Sequence, residues 1–296
     1  KHKPSGKQQE FKHRTEFKAI MKQKNKEITL DYEVEDIQTP AALKNCLRTI
    51  KQHITRIEEG LWADEVVIYC GEKDNFRKQL PLPSEYKGQR KDNIRPVHLQ
   101  AAKAYLHRTW GAKAAVGYEV DDACCIHGYE QLAKGNIPLL FHYEKDQNSH
   151  NGLILVDEVD EQLIEEVIPE LGELWLDKNK KVKGTGLKFL CFQWIWADPV
   201  DNYRAYECSS VKFGEKSAYD VLKDLSSVQE CLIAVIQQFK TFYPDEFEYK
   251  DFRGIEHKAD YKHMLEMYYA CCWMKRSKTD NSKPHLLFEQ YGVQYD

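Results

Sequence analysis

No apolar run in this chain approaches the ~18 residues that a bilayer-crossing helix needs, and no signal peptide is visible. No C-x-x-C pair occurs, and the 9 cysteines are an odd number. Cys124–Cys125 and Cys271–Cys272 are adjacent doublets, which seldom ligate one metal or bridge each other, while Cys70 and Cys191 sit in apolar runs. They read as small buried hydrophobes in a reducing compartment, not as a disulfide or zinc framework. An excess of one charge is missing too: 43 Lys+Arg face 47 Asp+Glu, for a net −4. The strongly basic balance that announces a nucleic-acid binder is therefore absent, although an acidic pocket and basic surfaces on one molecule cancel in such a sum. There is no internal repeat and no long low-complexity tract. These absences exclude a helical membrane protein, a stapled secreted module and a solenoid, and the expected location is the cytoplasm.

What is present is enough apolar sequence, 42% of 296 residues, for one large core or a main domain with a smaller helical one. In TPAALKNCLRTIKQHITRIEEG, Leu43, Leu47, Ile50, Ile54 and Ile57 recur at three and four, which predicts a helix with Thr39 as N-cap, Pro40 at N1 and Gly60 at its end. ITLDYEVED (28–36) reads as an edge strand or extended linker, and EVVIYC (65–70) as a buried strand. VHLQAAKAYLHRTWG is helical by spacing, KAAVG a short strand, DDACCIHGYEQLAKG a helix, and NIPLLFHYEKD and GLILVDEV further strands. Such alternation predicts an α/β fold with a mostly parallel central sheet flanked by helices, whose ligand sites fall at the carboxyl ends of the strands. From about residue 185 the pattern turns helical: LKFLCFQWIWAD, EKSAYDVLKDL, SSVQECLIAVIQQFKTFY with capping-box spacing at Ser227 and Glu230, and HKADYKHMLEMYYACCWMKR. The expected organisation is an α/β domain over 1–188, carrying a basic segment at 72–96, and an all-helical region over 189–296.

The stretch GYEVDDACCIHG crowds Glu119, Asp121 and Asp122 into four positions. A solvated helix end can carry such a group, and so can a site that holds cations. Other acids also follow apolar segments: Glu72 after VVIYC, Glu144 and Asp146 after PLLFHY, Asp198 and Asp201 after FQWIWA. Taken singly, each reads as an ordinary solvent-facing carboxylate. Taken jointly, they supply the oxygen donors that hard divalent cations such as Mg²⁺ require, drawn from several strand ends. A second group is basic: NFRKQLPLPSEYKGQRK brings Arg77, Lys78, Lys87, Arg90 and Lys91 together with Phe76 and Tyr86. It reads either as a solvated loop or as a surface that holds a phosphate backbone and stacks a base.

These residues, in this order, resemble the motifs of the 5′-nuclease superfamily of flap endonucleases and 5′–3′ exonucleases. GYEVDD resembles its Gly-x-Glu-Ala-Asp-Asp motif. NFRKQLPLPSEYKGQR is similar to its Arg…Tyr-Lys-x-x-Arg segment leading into a helical arch. EKD at 144–146 is similar to Asp-Lys-Asp, ADPVDN at 197–202 to Gly-Asp-x-x-Asp-Asn, and FGEKSAYDVLKDL at 213–225 to the second half of a helix-hairpin-helix element. The resemblance spans roughly residues 65–225, and its spacing is most like the bacteriophage enzymes.

The resemblance implies a PIN-like α/β fold and a metal-dependent 5′-nuclease that hydrolyses DNA phosphodiesters at or near 5′ ends in replication or repair. Glu119, Asp121 and Glu144 would face one or both of two Mg²⁺ or Mn²⁺ ions. Asp122, Asp146, Asp198 and Asp201 would complete their surroundings, and Glu72 falls where the family often has Asp. Lys87 and Arg90 would contact the scissile phosphate. Arg77, Tyr86, Lys91, Ser209, Ser210, Gly214 and Lys216 would touch DNA that carries 5′ ends, flaps or nicks, with a K⁺ ion at the hairpin. Departures from the pattern are Glu at 72 and 144, Ala197 in place of Gly, and a first hairpin half (NYRAYECSSVKFG) without the usual glycines and proline. No Asp-Gly strand precedes residue 26, and the chain opens KHKPSGK without Met, so that strand is expected upstream of Lys1. The rival expectations are a family member that binds DNA without cutting and a PIN-like nuclease of RNA.

Overall fold

A computed structural model describes residues 1–23, 32–35, 37–91, 93–141, 145–160 and 162–295. The chain divides into two compact units, Lys1–Lys51 with Arg95–Ala102, and Gln52–Ile94 with Lys103–Asp296. In the smaller unit, helix α1 (Arg14–Gln23) buries Phe17 and Met21, and the Phe17 ring packs against Phe11 and Tyr32. Tyr32 forms a bridge with His2; residues 28–31 and 36 of the stretch read as an edge strand or linker lie outside the described residues.

Helix α2 spans Leu43–Leu61, so it starts later than Thr39 and runs through Gly60. Its end is made by the backbone beyond it. Trp62 takes a left-handed φ of 52°, its N–H donates to Glu59 O, and Ala63 N–H donates to Glu58 O, which is a Schellman closure two residues past the glycine.

In the larger unit, β1 (Tyr69–Asn75) pairs in parallel with β2 (Lys113–Gly117). Strand β3 (Leu139–Phe141) pairs in parallel with β4 (Ile154–Val159), and β4 pairs antiparallel with β5 (Gln162–Val167). Three short antiparallel pairs follow: β6 (Leu174–Leu176) with β7 (Val182–Gly184), β8 (Ala197–Asp198) with β9 (Tyr203–Arg204), and β10 (Phe247–Lys250) with β11 (Glu256–Ala259). The α/β character matches the expectation, but the mostly parallel central sheet does not. Among the described residues only β1–β2 and β3–β4 are parallel. The strand read at 65–70 instead starts at Tyr69 and continues through the charged GEKDN, because β2 supplies its ladder there.

Helix α3 (Leu99–Trp110) precedes β2, and α4 (Val120–Ala133) follows it. The buried apolar residues of α4 are Ala123, Cys125, Ile126 and Gly128, three of them small. A Cβ on Gly128 would stand 3.0 Å from Leu140 Cδ1 and 3.2 Å from Leu153 Cδ2, so this helix sits as close to the strands as a side-chain-free position allows. Cys125, Leu140, Leu153, Leu155, Ile168 and Met274 form the core beneath it.

The larger core lies in the C-terminal half. All ten residues of α5 (Gly186–Ile195) are buried, and it packs against α6 (Glu215–Leu222), α7 (Val228–Phe242) and α8 (Tyr261–Cys272). Trp194 places its ring in that core and donates its Nε1–H to Leu265 O at 2.8 Å, which removes the penalty of burying an indole N–H. The capping box read at Ser227 and Glu230 is present: Glu230 N–H donates to Ser227 Oγ at 3.2 Å, and Ser227 N–H to Glu230 Oε2 at 3.1 Å. Helix α9 (His285–Gln290) closes the chain.

The last hundred residues are nevertheless not all helical. Phe247 and Tyr249 alternate with charged residues and form the β10–β11 hairpin. Its turn holds because buried Asp251 accepts the N–H groups of Arg253 and Ile255, while Gly254 supplies a φ of 82°. Residues 202–214, where the first half of a helix-hairpin-helix was expected, contain β9 and turns but no helix; α6 falls within 213–225, the stretch read as the second half.

Candidate metal centre

Three turns and one helix end build the site. Strand β2 leaves through Gly117 at φ 80° and delivers Glu119 to the start of α4, where its N–H donates to Asp122 Oδ2 at 2.9 Å. Acids in a first helical turn are favoured by the orphan N–H groups and the helix dipole, so this end tolerates Asp121 and Asp122 together. Their side chains then part. Asp121 lines a cavity of about 310 Å³ together with Gly71, Glu72, Glu119, Asp146 and Asp201. Asp122 points inward, fully enclosed, and takes a bidentate contact from Arg77 at 2.6 and 3.0 Å.

The second contribution is the 3₁₀ turn Lys145–Ser149 after β3, which carries Asp146. The third is the tight turn between β8 and β9. There Asp198 Oδ1 accepts the N–H groups of Val200 (2.8 Å) and Asp201 (3.2 Å), folding the turn so that both acids face one way. As a result Asp146, Asp198 and Asp201 each offer an oxygen within 4.8 Å of the others. Burial, with Asp198 and Asp201 adding like charge, pushes the Asp146 carboxyl up to about 6 despite the opposing Lys145. Burial also raises Asp201, against the pull of Lys87.

The fourth contribution is the turn at 85–90, laced to the β8–β9 turn. Lys87 N–H donates to Asp201 O at 2.8 Å, Asn202 Nδ2 to Glu85 O at 2.9 Å, and Gln89 Nε2 to Val200 O at 2.7 Å. Lys87 is held at a φ of 56°, a left-handed value unusual for a residue with a side chain. Its Nζ reaches Glu119 Oε1 at 2.6 Å and Asp201 Oδ1 at 3.4 Å, and Arg90 reaches Asp201 Oδ1 at 3.0 Å. Burial would lower the Lys87 ammonium, but Asp201 and Glu119 more than offset it and leave it raised. Tyr86 is buried and donates its hydroxyl to Asp201 Oδ2 at 2.5 Å.

The residues singled out in the sequence fall into three groups. Glu72, Glu119, Asp121, Asp146, Asp201, Lys87 and Arg90 line the cavity, and Asp198 adjoins it through the carboxylate cluster. Arg77, Asp122 and Tyr86 are buried and engaged with protein groups, so they offer no open surface. Lys91 is exposed and pairs with Glu85; Lys216 is exposed and pairs with Asp220; Ser209, Ser210 and Gly214 lie in the turns before α6, away from the cavity lining. Glu144 lies outside the described residues.

Sequence reasoning missed Lys145, whose Nζ stands 2.8 Å from Asp198 Oδ2 and whose ammonium is raised: burial opposes, and Asp146, Asp198 and Asp201 prevail. It also missed Gln193, which donates to Asp146 Oδ1 at 2.6 Å. The signal for Gln193 was present as a single amide in GLKFLCFQWI, whose only other polar side chain is Lys188.

No family model and no curated protein matches this chain. Among the solved structures similar to it are three of bacteriophage T5 proteins. One is a T5 protein co-crystallised with metal ions, at 15% identity and TM-score 0.44, covering 68% of this chain and 82% of that one. Another is the T5 5′-exonuclease with zinc bound, at 16% and 0.39, covering 66% and 79%. A third is a T5 flap endonuclease in a pseudo-enzyme–product complex with DNA and metal ions, at 15% and 0.40, covering 68% and 79%. At this degree of likeness, what bears on function is the site itself.

The site's donors suit a hard cation. They are all carboxylate oxygens, brought together from the 145–149 turn and the β8–β9 turn. No helix among the described residues is long and apolar enough to cross a membrane.

Proposed function

We propose that this chain is a metal-dependent 5′-nuclease acting on DNA phosphodiesters at or near 5′ ends. The observation that carries the reading is the joint placement of Asp146, Asp198 and Asp201 beside a cavity that also holds Glu119, Asp121, Lys87 and Arg90. Anionic donors interleaved with the cationic groups of Lys87 and Arg90 suit a site that takes up Mg²⁺ or Mn²⁺ and a phosphate together.

Asp146, Asp198 and Asp201 would hold the cation, with Glu119 and Asp121 near it and Glu72 at the wall. When bound, it supplies charge neutralisation and a water of lowered pKa. The chain's own cations do the rest. Lys87, fixed by its backbone bond to Asp201, presents an ammonium to the cavity; Arg90 presents a guanidinium beside it. Both orient the phosphate and offset charge as it develops. The region from residue 189, with Ser209, Ser210, Gly214 and Lys216 at the start of α6, is assigned to the duplex backbone, and Lys91 to the rim. A K⁺ at that element and a second divalent ion belong to the same proposal.

The test is cleavage of 5′-labelled duplex, flap and matched RNA substrates with Mg²⁺ or Mn²⁺, and with EDTA as control. Metal-dependent release from the 5′ side of DNA is expected. Tight DNA binding with no cleavage under any metal sinks the enzyme reading, and a preference for RNA moves the assignment to an RNA nuclease.

A further inference from the structure

We propose that Gln193 and Gln147 are positioning residues of the metal centre, whose buried amides hold Asp146 and Asp121 with their carboxylates toward the cavity. The proposal rests on the metal centre described above and deepens it.

Both glutamines are enclosed, at 1% and 2% exposure. Gln193 lies on α5, whose residues are all buried, and donates its Nε2–H to Asp146 Oδ1 at 2.6 Å. Gln147 lies on the 145–149 turn and donates its Nε2–H to Asp121 Oδ1 at 3.4 Å. In each case the other end of the amide, Oε1, is buried without a hydrogen-bond partner among the described residues. The orientation is imposed by chemistry: reversing either amide would set its oxygen against a carboxylate oxygen, and neither can donate.

A buried carbonyl left unpaired destabilises the folded chain, whereas Met at either position fills a similar volume and carries no such group. Folding alone therefore favours an apolar residue at 193, in a helix that is otherwise GLKFLCF-WI. The gain lies in the donated bond. Carboxylates that ligate metals are themselves held by hydrogen bonds, and those outer partners tune affinity. The two bonds also form a chain: α5 fixes Asp146 on the 145–149 turn, and the next residue of that turn fixes Asp121 on α4. Three separate elements are thereby aligned on one cavity.

The test compares wild type, Gln193→Met, Gln147→Met and Gln193→Asn for Mn²⁺ affinity by calorimetry and for thermal unfolding in EDTA, with Asp146→Ala as a control. The expected result is a ~10–100-fold weaker Mn²⁺ affinity in the glutamine variants, with a melting temperature in EDTA equal to or above wild type for Gln193→Met. The Asn variant keeps the amide but shortens its reach, so it too loses affinity. Unchanged Mn²⁺ affinity in both Met variants overturns the assignment, as does a lowered melting temperature with unchanged affinity, which marks a packing role. If wild type binds Mn²⁺ and Asp146→Ala does not, the centre stands whatever the glutamines do. If wild type binds none, the centre fails and this assignment fails with it.

Discussion

Arg77 and Asp122 face each other in full enclosure, and neither spends charge on solvent. The guanidinium makes its fork with the carboxylate and also donates to Cys271 O (3.2 Å) and Trp273 O (2.5 Å) at the end of α8. Asp122 in turn accepts the N–H groups of Glu119 and Lys275, both at 2.9 Å. One pair thus ties the start of α4, which carries the candidate ligands, to the end of α8. Removing one partner strands the other charge in the interior. Arg77→Ala is expected to lose about 3–5 kcal/mol of stability, read from urea unfolding. Arg77→Lys should recover little of it, since an ammonium cannot reproduce a planar fork to a carboxylate and two carbonyls. A variant as stable as wild type would refute the tie.

Asp121→Ala should abolish metal-dependent cleavage, by more than about a hundredfold, while DNA affinity stays close to wild type. Asp121 faces the cavity and its loss leaves Arg77–Asp122 intact, so folding should survive. Cleavage at the wild-type rate removes Asp121 from the site.

Lys87→Ala should slow turnover by about 10²–10³ and change KM much less. Its ammonium is raised and pinned between Glu119 and Asp201, which suits a fixed charge over a mobile backbone contact. A pure loss of DNA affinity would demote it to such a contact.

Adding Mn²⁺ to the metal-free protein should raise its melting temperature, by the equivalent of about 2.7 kcal/mol at a hundredfold excess over Kd. Asp198→Ala should lose that shift. Equal shifts in both proteins, followed by differential scanning fluorimetry, would place the cation elsewhere.

His150 sets a pH dependence apart from the metal. It is 1% exposed between Tyr129 and Trp273, and burial, with Arg276 adding repulsion, lowers its imidazole from 6.5 to about 3. The folded chain therefore keeps it neutral, while the unfolded chain takes a proton below about 6.5. The unfolded state binds more protons throughout that window, so stability is full above pH 6.5 and falls as pH drops toward 3. His150→Phe should flatten this decline. Denaturant midpoints at about pH 7 and about pH 5 check it; an unchanged slope in the variant contradicts the assignment.

What could be read in advance was whatever depends on near neighbours in sequence. The capping box at Ser227 and Glu230, the apolar α5 and the acids at the start of α4 are all settled within a few residues. The clustering of Asp146, Asp198 and Asp201 became legible through the order of motifs, since no local pattern joins positions more than fifty apart. The direction a side chain takes was not legible. Asp121 and Asp122 are adjacent and chemically alike, yet one enters the cavity and the other meets Arg77, a choice made by a residue 45 positions away. The β10–β11 hairpin was missed although Phe247, Tyr249 and Gly254 fit a strand–turn–strand, because the surrounding helices suggested continuity. Parallel pairing was over-read because strand–helix alternation does not reveal which strands meet.

The reach of Arg77 has a consequence for the order in which the protein is made. Every candidate ligand from Glu72 to Asp201 leaves the ribosome before Cys271 and Trp273 do, but the side chain that braces α4 needs both of those carbonyls. Phe252 N–H and Tyr249 Oη likewise donate to Leu82 O and Pro81 O, next to the turn that bears Lys87. A nascent chain halted short of residue 271 therefore carries the full set of acids without the frame that aims them. Such an arrested chain should be cut by protease between residues 77 and 91 faster than the finished protein is.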